Sequence, residues 1–173
     1  EKLASYGQNV SMISPLDLAT YEKKGDVYKI DFSRFDKTVE IFKDAGALKR
    51  IEGGHIGQRI GGWLSLFVVR VPEPAGDSTV FLQLPIGDPK AKAFYRQFLP
   101  ALMTHLQEKG WLADYYQHIA DEPIAENKQS YIDIANYVKS VVPTIKILEA
   151  CHTKDLAETI DLWVPQMDFM NRD

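Results

Sequence analysis

At 173 residues the chain is long enough for one well-buried domain and too short for two ordinary ones. Hydrophobic residues make up 45% and charged residues 25%, the balance of a globular protein, and the longest apolar stretches, such as Trp63 to Val69, are far too short to span a membrane. The net charge of −4 comes with scattered Lys and Arg rather than a basic stripe, so no nucleic-acid partner is expected. The single cysteine, Cys151, cannot form an internal disulfide and leaves the redox compartment open. No charged-then-apolar leader is visible, and the first residue is Glu rather than Met, so a processed protein or an excised piece is expected.

In chain order, Val10 to Ile13 reads as a strand ended by Ser14-Pro15. Ser33 is placed to cap a helix through Ala45, whose Phe35, Val39 and Phe42 recur at three- and four-residue steps, and Gly46 stops it. Leu48 to Glu52 reads as a strand entering a Gly53-Gly54-His55 loop. Residues 56–88 break the rhythm: Leu64 to Val71 and Thr79 to Leu84 predict a hairpin-like β insertion around Pro72-Glu73-Pro74-Ala75-Gly76. A long helix is expected from Pro89 to Lys109, with Phe94, Phe98, Leu102 and Leu106 on one face. A strand over 115–120, a helix over 126–142 ended by Pro143, a strand over 145–150, a short helix near 154–160 and a strand at 162–164 complete the chain.

This alternation predicts an α/β fold of right-handed βαβ units with a mainly parallel sheet of about five strands. Periodicity alone does not separate a doubly wound sheet from a barrel. A closed (β/α) barrel needs eight strands and about 250 residues, so a barrel here would be partial. No Gly-x-Gly-x-x-Gly follows the first strand and no phosphate-cradling Gly-x-x-x-x-Gly-Lys-Ser/Thr occurs, so no nucleotide cofactor is expected.

The strongest chemical feature is His118-Ile119-Ala120-Asp121-Glu122-Pro123, at the C-terminal end of a predicted strand where α/β folds place their sites. Adjacent strand residues point to opposite faces, so the two carboxylates converge only where strand gives way to loop. Pro123 keeps Glu122 out of helical geometry and is expected to hold it extended. Neighbouring carboxylates also push each other's pKa values apart, which suits general acid work. The competing reading is a helix start, since acids and Pro favour the first turn.

Other polar candidates border the remaining strands: Tyr6 and Asn9, His55 with Arg59, the trio Glu149, Cys151 and His152, and Trp163 with Gln166 and Asp168. Trp163 suits stacking on a sugar face, with a core aromatic as the competing reading. No His-Glu-x-x-His or comparable spacing supports zinc, and adjacent residues such as Cys151-His152 rarely orient as nucleophile and base.

Tyr115 to Pro123 resembles the catalytic strand of glycoside hydrolase family 123 and of the related DUF4091-type domains. Ile160-Asp161-Leu162-Trp163-Val164-Pro165 resembles the downstream strand of the same group. The resemblance implies a β-sandwich followed by a (β/α)8 catalytic barrel, of which residues 1–173 would be the central piece and 56–88 a β-rich insertion. It also implies substrate-assisted retaining hydrolysis of a β-linked N-acetylgalactosamine-type sugar, without cofactor or metal. Asp121 would orient the 2-acetamido group, and Glu122 would act as general acid/base. His55, Tyr116, Trp163, Asn9 and Gln166 are the candidate substrate contacts. A carbohydrate is the implied partner, and a secreted, periplasmic or cell-surface bacterial location is implied too. A glycosidase without the acetamido requirement and a non-catalytic carbohydrate-binding segment stand as alternatives. The sandwich, about one leading strand and about two trailing strands are missing, which would leave apolar strand edges open.

Overall fold

The computed structural model describes residues 2–76, 78–151 and 153–165. A short helix α1 (Lys2–Ser5) precedes strand β1 (Val10–Met12). Ser14 then caps the one-turn helix α2 (Pro15–Leu18), its hydroxyl accepting from the Asp17 amide at 3.2 Å. A hairpin follows, β2 (Thr20–Lys24) and β3 (Val27–Asp31), absent from the sequence reading. Helix α3 (Ser33–Asp44) starts one residue earlier than a Ser33 cap would place it. Ser33 lies inside the helix, and the Asp31 carboxylate accepts from both its amide and its hydroxyl, at 2.9 and 2.5 Å.

Strand β4 (Arg50–His55) absorbs the expected Gly-Gly-His loop into the sheet. The β-rich excursion is three-stranded, with antiparallel pairing in the order β5 (Gly57–Arg59), β6 (Phe67–Ala75) and β7 (Ser78–Leu84). Pro72 and Pro74 sit within β6, not in its turn. β5 pairs only with residues 67–69, so the proline segment is hydrogen-bonded by β7 on one side alone, where a missing N–H is tolerated. Helix α4 (Pro89–Glu108) is capped by Asp88, whose carboxylate accepts from the Lys90 amide at 2.7 Å. Strand β8 (Tyr115–His118), helix α5 (Lys128–Val141), strand β9 (Leu148–Cys151) and strand β10 (Leu162–Pro165) finish the described chain.

β1, β4 and β8 pair in parallel, as do β9 and β10, and a parallel bridge from Gln117 to Ile147 joins the two groups. Five parallel strands thus lie side by side in chain order, each new strand added beyond the last. All their C-terminal ends face the same way.

The apolar stripe of α4 buries Phe94, Tyr95, Phe98, Leu99, Leu102 and Leu106, as its spacing predicts. The hairpin β2–β3 is held there by aromatic contacts: Tyr21 and Tyr28 meet Phe94 at 5.9 and 5.0 Å, and Phe32 meets Phe98 at 6.1 Å. Each fully buried Phe contributes about 1.5–3 kcal/mol relative to exposure, so α4 anchors the β2–β3 hairpin. Tyr95 extends that anchor to β6, its hydroxyl donating to the Arg70 carbonyl at 2.7 Å with the Ile56 carbonyl 3.2 Å away. No helix among the described residues is long and apolar enough to cross a membrane.

Candidate active site

The site begins with an irregularity in β4. Ile51 and Glu52 pair with Tyr115 and Tyr116, but the next matched pair is His55 with His118, so β4 carries one extra residue. Side chains alternate along a strand, so three regular steps from Glu52 would turn His55 to the opposite face, and it is the bulge that keeps it on the side of Glu52 and His118. Two glycines make the bulge feasible. A Cβ on Gly53 would lie 2.0 Å from the Tyr115 hydroxyl, and Gly54 has φ +71°. The His55 and His118 rings consequently meet at 4.8 Å. Arg70 fixes the turned backbone, donating to the His55 carbonyl at 2.7 Å while forking onto Asp17 at 2.6 and 3.0 Å.

Between the two imidazoles lies Glu149 of β9, with its side chain fully buried. Its Oε1 is 2.8 Å from His118 Nδ1 and 3.3 Å from His55 Nε2, and its Oε2 accepts from the amides of Ile119 and Ala120 at 3.0 and 3.1 Å. His118 Nε2 reaches Glu52 at 3.3 Å. Burial opposes charge on both members of the central pair. For His118 the bonds to Glu149 and Glu52 outweigh that cost and raise its pKa above 6.5. For Glu149 burial is likewise overcome, by His118 and His55, and its pKa falls below 4.5. The two form a buried ion pair in which both groups are hydrogen-bonded, the condition under which mutual attraction offsets desolvation.

The chain leaves β8 through Ile119-Ala120 and presents Asp121 and Glu122. Asp121 is exposed, and its carboxylate stands 4.0 Å from His55 Nε2. Glu122 has φ +47°, the only left-handed non-glycine among the described residues. Pro123 bars the right-handed helical region, as expected, but the outcome is a left-handed turn rather than an extended residue. That conformation costs about 1–3 kcal/mol and persists only where surroundings impose it. Here Arg59 does so, donating from Nη2 to the Glu122 carbonyl at 2.8 Å. The guanidinium also donates to the Trp63 carbonyl at 2.9 Å and lies 4.0 Å over the Trp63 ring. Buried Asn127 pins the following loop, accepting from the Ile124 amide at 2.9 Å and donating to the carbonyls of Trp63 and Ser65. A cleft of about 350 Å³ opens beside the turn, lined by Asp121, His55, Arg59, Arg70, Asp17 and Met12 among others.

Of the residues singled out from sequence, His55 and Asp121 come together at this mouth, and Glu122 adjoins them. Trp163 of β10 lies opposite Glu149 in the ladder, half-buried against the core. Tyr116 faces the same side as His118 one step deeper, with Arg50 and Lys146 at 5.9 and 5.5 Å from its ring. Asn9 is corrected: it precedes β1, so it lies at the N-terminal end of the parallel strands, opposite the mouth. Its carbonyl there accepts from the amides of Lys49 and Arg50. Tyr6 precedes β1 as well, while His152, Gln166 and Asp168 lie outside the described residues. Burial pushes the Cys151 thiol up to about 11, so it stays protonated and is no nucleophile at neutral pH.

Glu52 and the shared role of Glu149 were not apparent from sequence. His55, His118 and Glu149 offer donor atoms within 4.8 Å of one another, a set that a metal ion could use. They come from three strands, so no local spacing displays them. Each of the three donors also engages another in the set, which accounts for the geometry without an ion.

The acidic pair thus stands on a strained strand-to-loop turn at the C-terminal mouth of sequentially ordered parallel strands, the end at which such α/β folds place their sites. The family profile described as glycoside hydrolase 123, catalytic domain, matches residues 5–171, and the chain belongs to that family. Among solved structures it is similar to a family 123 glycoside hydrolase from Clostridium perfringens described for glycolipid glycan hydrolysis, with TM-score 0.62 and 19% identity. The match covers 92% of this chain and 30% of that one, so the chain spans under a third of that enzyme. No curated protein matches.

Proposed function

We propose that the protein carrying this chain is a glycosidase that releases a β-linked 2-acetamido sugar of the N-acetylgalactosamine type, by substrate-assisted retaining hydrolysis. The carrying observation is the adjacency of Asp121 and Glu122 on one tight turn. Ordinary retaining enzymes set an acid and a nucleophile about 5–5.5 Å apart across the scissile bond, whereas a nucleophile supplied by the substrate's acetamido oxygen frees the second carboxylate to sit beside the first. In this reading Asp121 orients the acetamido N–H and stabilises the positive charge of the oxazolinium intermediate. Glu122 protonates the leaving oxygen and then activates the water that opens the intermediate. His55, 4.0 Å from Asp121, contacts the same part of the sugar, with Trp163 and Tyr116 on the strands beyond.

The side-by-side strand order supports a matching view of the fold: the chain is one domain, the central part of a (β/α)8 barrel, with 56–88 inserted between barrel units. A secreted or cell-surface location suits an enzyme acting on glycans. The test is turnover by the full-length protein of aryl β-N-acetylgalactosaminide and aryl β-galactoside, with glycolipid glycans as the substrate class described for the Clostridium enzyme. Preference for the acetamido sugar is expected; equal cleavage of both would remove acetamido participation, and cleavage of neither would favour a binding role. Glu122→Gln should lower kcat about 10²–10⁴-fold, and an unchanged rate removes it from the mechanism.

A further inference from the structure

We infer that Glu149 is the positioning residue of this site: its buried carboxylate holds the backbone that delivers Asp121 and Glu122, and through His55 it aligns the Asp121 side chain. The inference rests on the dyad reading above.

Ile119 and Ala120 lie beyond the last residue of β8, yet both are fully buried. Their amides would be orphaned there without Glu149 Oε2, which takes both. Those two amides immediately precede Asp121, so the carboxylate fixes where the catalytic turn begins. Satisfying two amides needs only a neutral acceptor, and burying a charge for that purpose alone would be unfavourable. The second oxygen supplies the reason, because it faces both histidines at once. The groups form a series, Glu52, His118, Glu149, His55 and Asp121, with neighbouring contacts of 3.3, 2.8, 3.3 and 4.0 Å. His55 Nε2 is shared between Glu149 and Asp121, so the charge on Glu149 decides which carboxylate its ring addresses. The other ionisable groups facing Glu149 are Tyr131 from α5 and Cys151 from its own strand, both kept protonated, first of all by burial. The charge balance of the network therefore rests on the two histidines and three carboxylates.

The test uses the full-length protein and the glycoside it turns over fastest. Glu149→Gln preserves volume and removes the charge. Its kcat should fall about 10²-fold, the cost of a misplacement near 1 Å, with KM changed far less. The alkaline limb of its pH–rate profile should move to lower pH, because His118 loses the carboxylate that holds its proton. In Glu149→Leu, which removes the acceptor itself, hydrogen exchange at the Ile119 and Ala120 amides should quicken, whereas the amide oxygen of Glu149→Gln can still take both. If Glu149→Gln does not fold, His118→Gln is read by kcat and pH profile alone: it leaves both amide bonds in place, so turnover should fall and the alkaline limb should change. A folded Glu149→Gln or His118→Gln with wild-type kcat and pH profile overturns the inference, as does wild-type exchange in a folded Glu149→Leu or an activity loss that merely follows the unfolded fraction. Full activity in Asp121→Asn and Glu122→Gln would instead overturn the dyad reading. Crippled dyad variants beside an unaffected Glu149→Gln would leave the dyad standing and remove Glu149 alone.

Discussion

Replacing Arg59 by Ala removes the bond that holds Glu122 in its left-handed turn. The Nη2 contact to the Glu122 carbonyl, at 2.8 Å, is charge-assisted and contributes about 1.5–3 kcal/mol. The strain at φ +47° costs about 1–3 kcal/mol. The two are of the same size, so without Arg59 the relaxed turn competes with the observed one, and the Glu122 carboxyl leaves its position in a large share of molecules. If turnover requires the strained turn, losing about 1.5–3 kcal/mol lowers kcat about 10- to 150-fold, at 1.36 kcal/mol per factor of ten. Arg59→Lys should fall on the same side. A lysine keeps the charge but not the fork that reaches the Glu122 carbonyl, the Trp63 carbonyl and the Trp63 ring together. The assay is steady-state turnover by the full-length protein, with kcat and KM separated and thermal unfolding run in parallel. A kcat within twofold of wild type for both variants, with folding intact, would refute the clamp.

Gly53→Ala should destabilise the fold by about 1–3 kcal/mol, because its Cβ would lie 2.0 Å from the hydroxyl and 2.5 Å from the ring of buried Tyr115. A variant whose urea midpoint matches wild type would show that the β4 bulge tolerates a side chain. The His118–Glu149 pair sets a pH signature. His118 is raised, so its stabilisation is complete below pH 6.5 and is lost as pH climbs through its folded value. Glu149 is lowered, so its stabilisation is present above pH 4.5 and is lost as pH falls through its folded value. The contribution of the pair is therefore greatest between pH 4.5 and 6.5, and the unfolding temperature should decline on the alkaline side. His118→Gln should abolish that alkaline decline; an identical slope in the variant would assign it elsewhere.

Much of the helical framework was legible because its signals are local. The run of Phe94, Phe98, Leu102 and Leu106 at four-residue steps, started by Asp88-Pro89, produces α4 within a residue of its expected bounds. Hairpins were harder. Gly25-Asp26 between two short alternating runs is a modest turn signal, and β2–β3 forms because Tyr21 and Tyr28 find Phe94, some seventy residues away. The prolines of β6 misled for a related reason: they look like a turn until the one-sided pairing with β7 is known.

The same division runs through the site. Side-chain chemistry within a few residues was enough to mark Asp121-Glu122-Pro123, to set Pro123 against a helical Glu122, and to place the pair at a strand end. Tertiary structure chose the left-handed turn, because the opposing bond comes from Arg59, sixty-three residues earlier. It also brought His55 to His118 through a bulge in one strand and placed Glu149 between them from another. Strand register has a period of two, so a single extra residue decides which face a side chain takes. That count depends on the partner strand, which no local stretch of sequence contains.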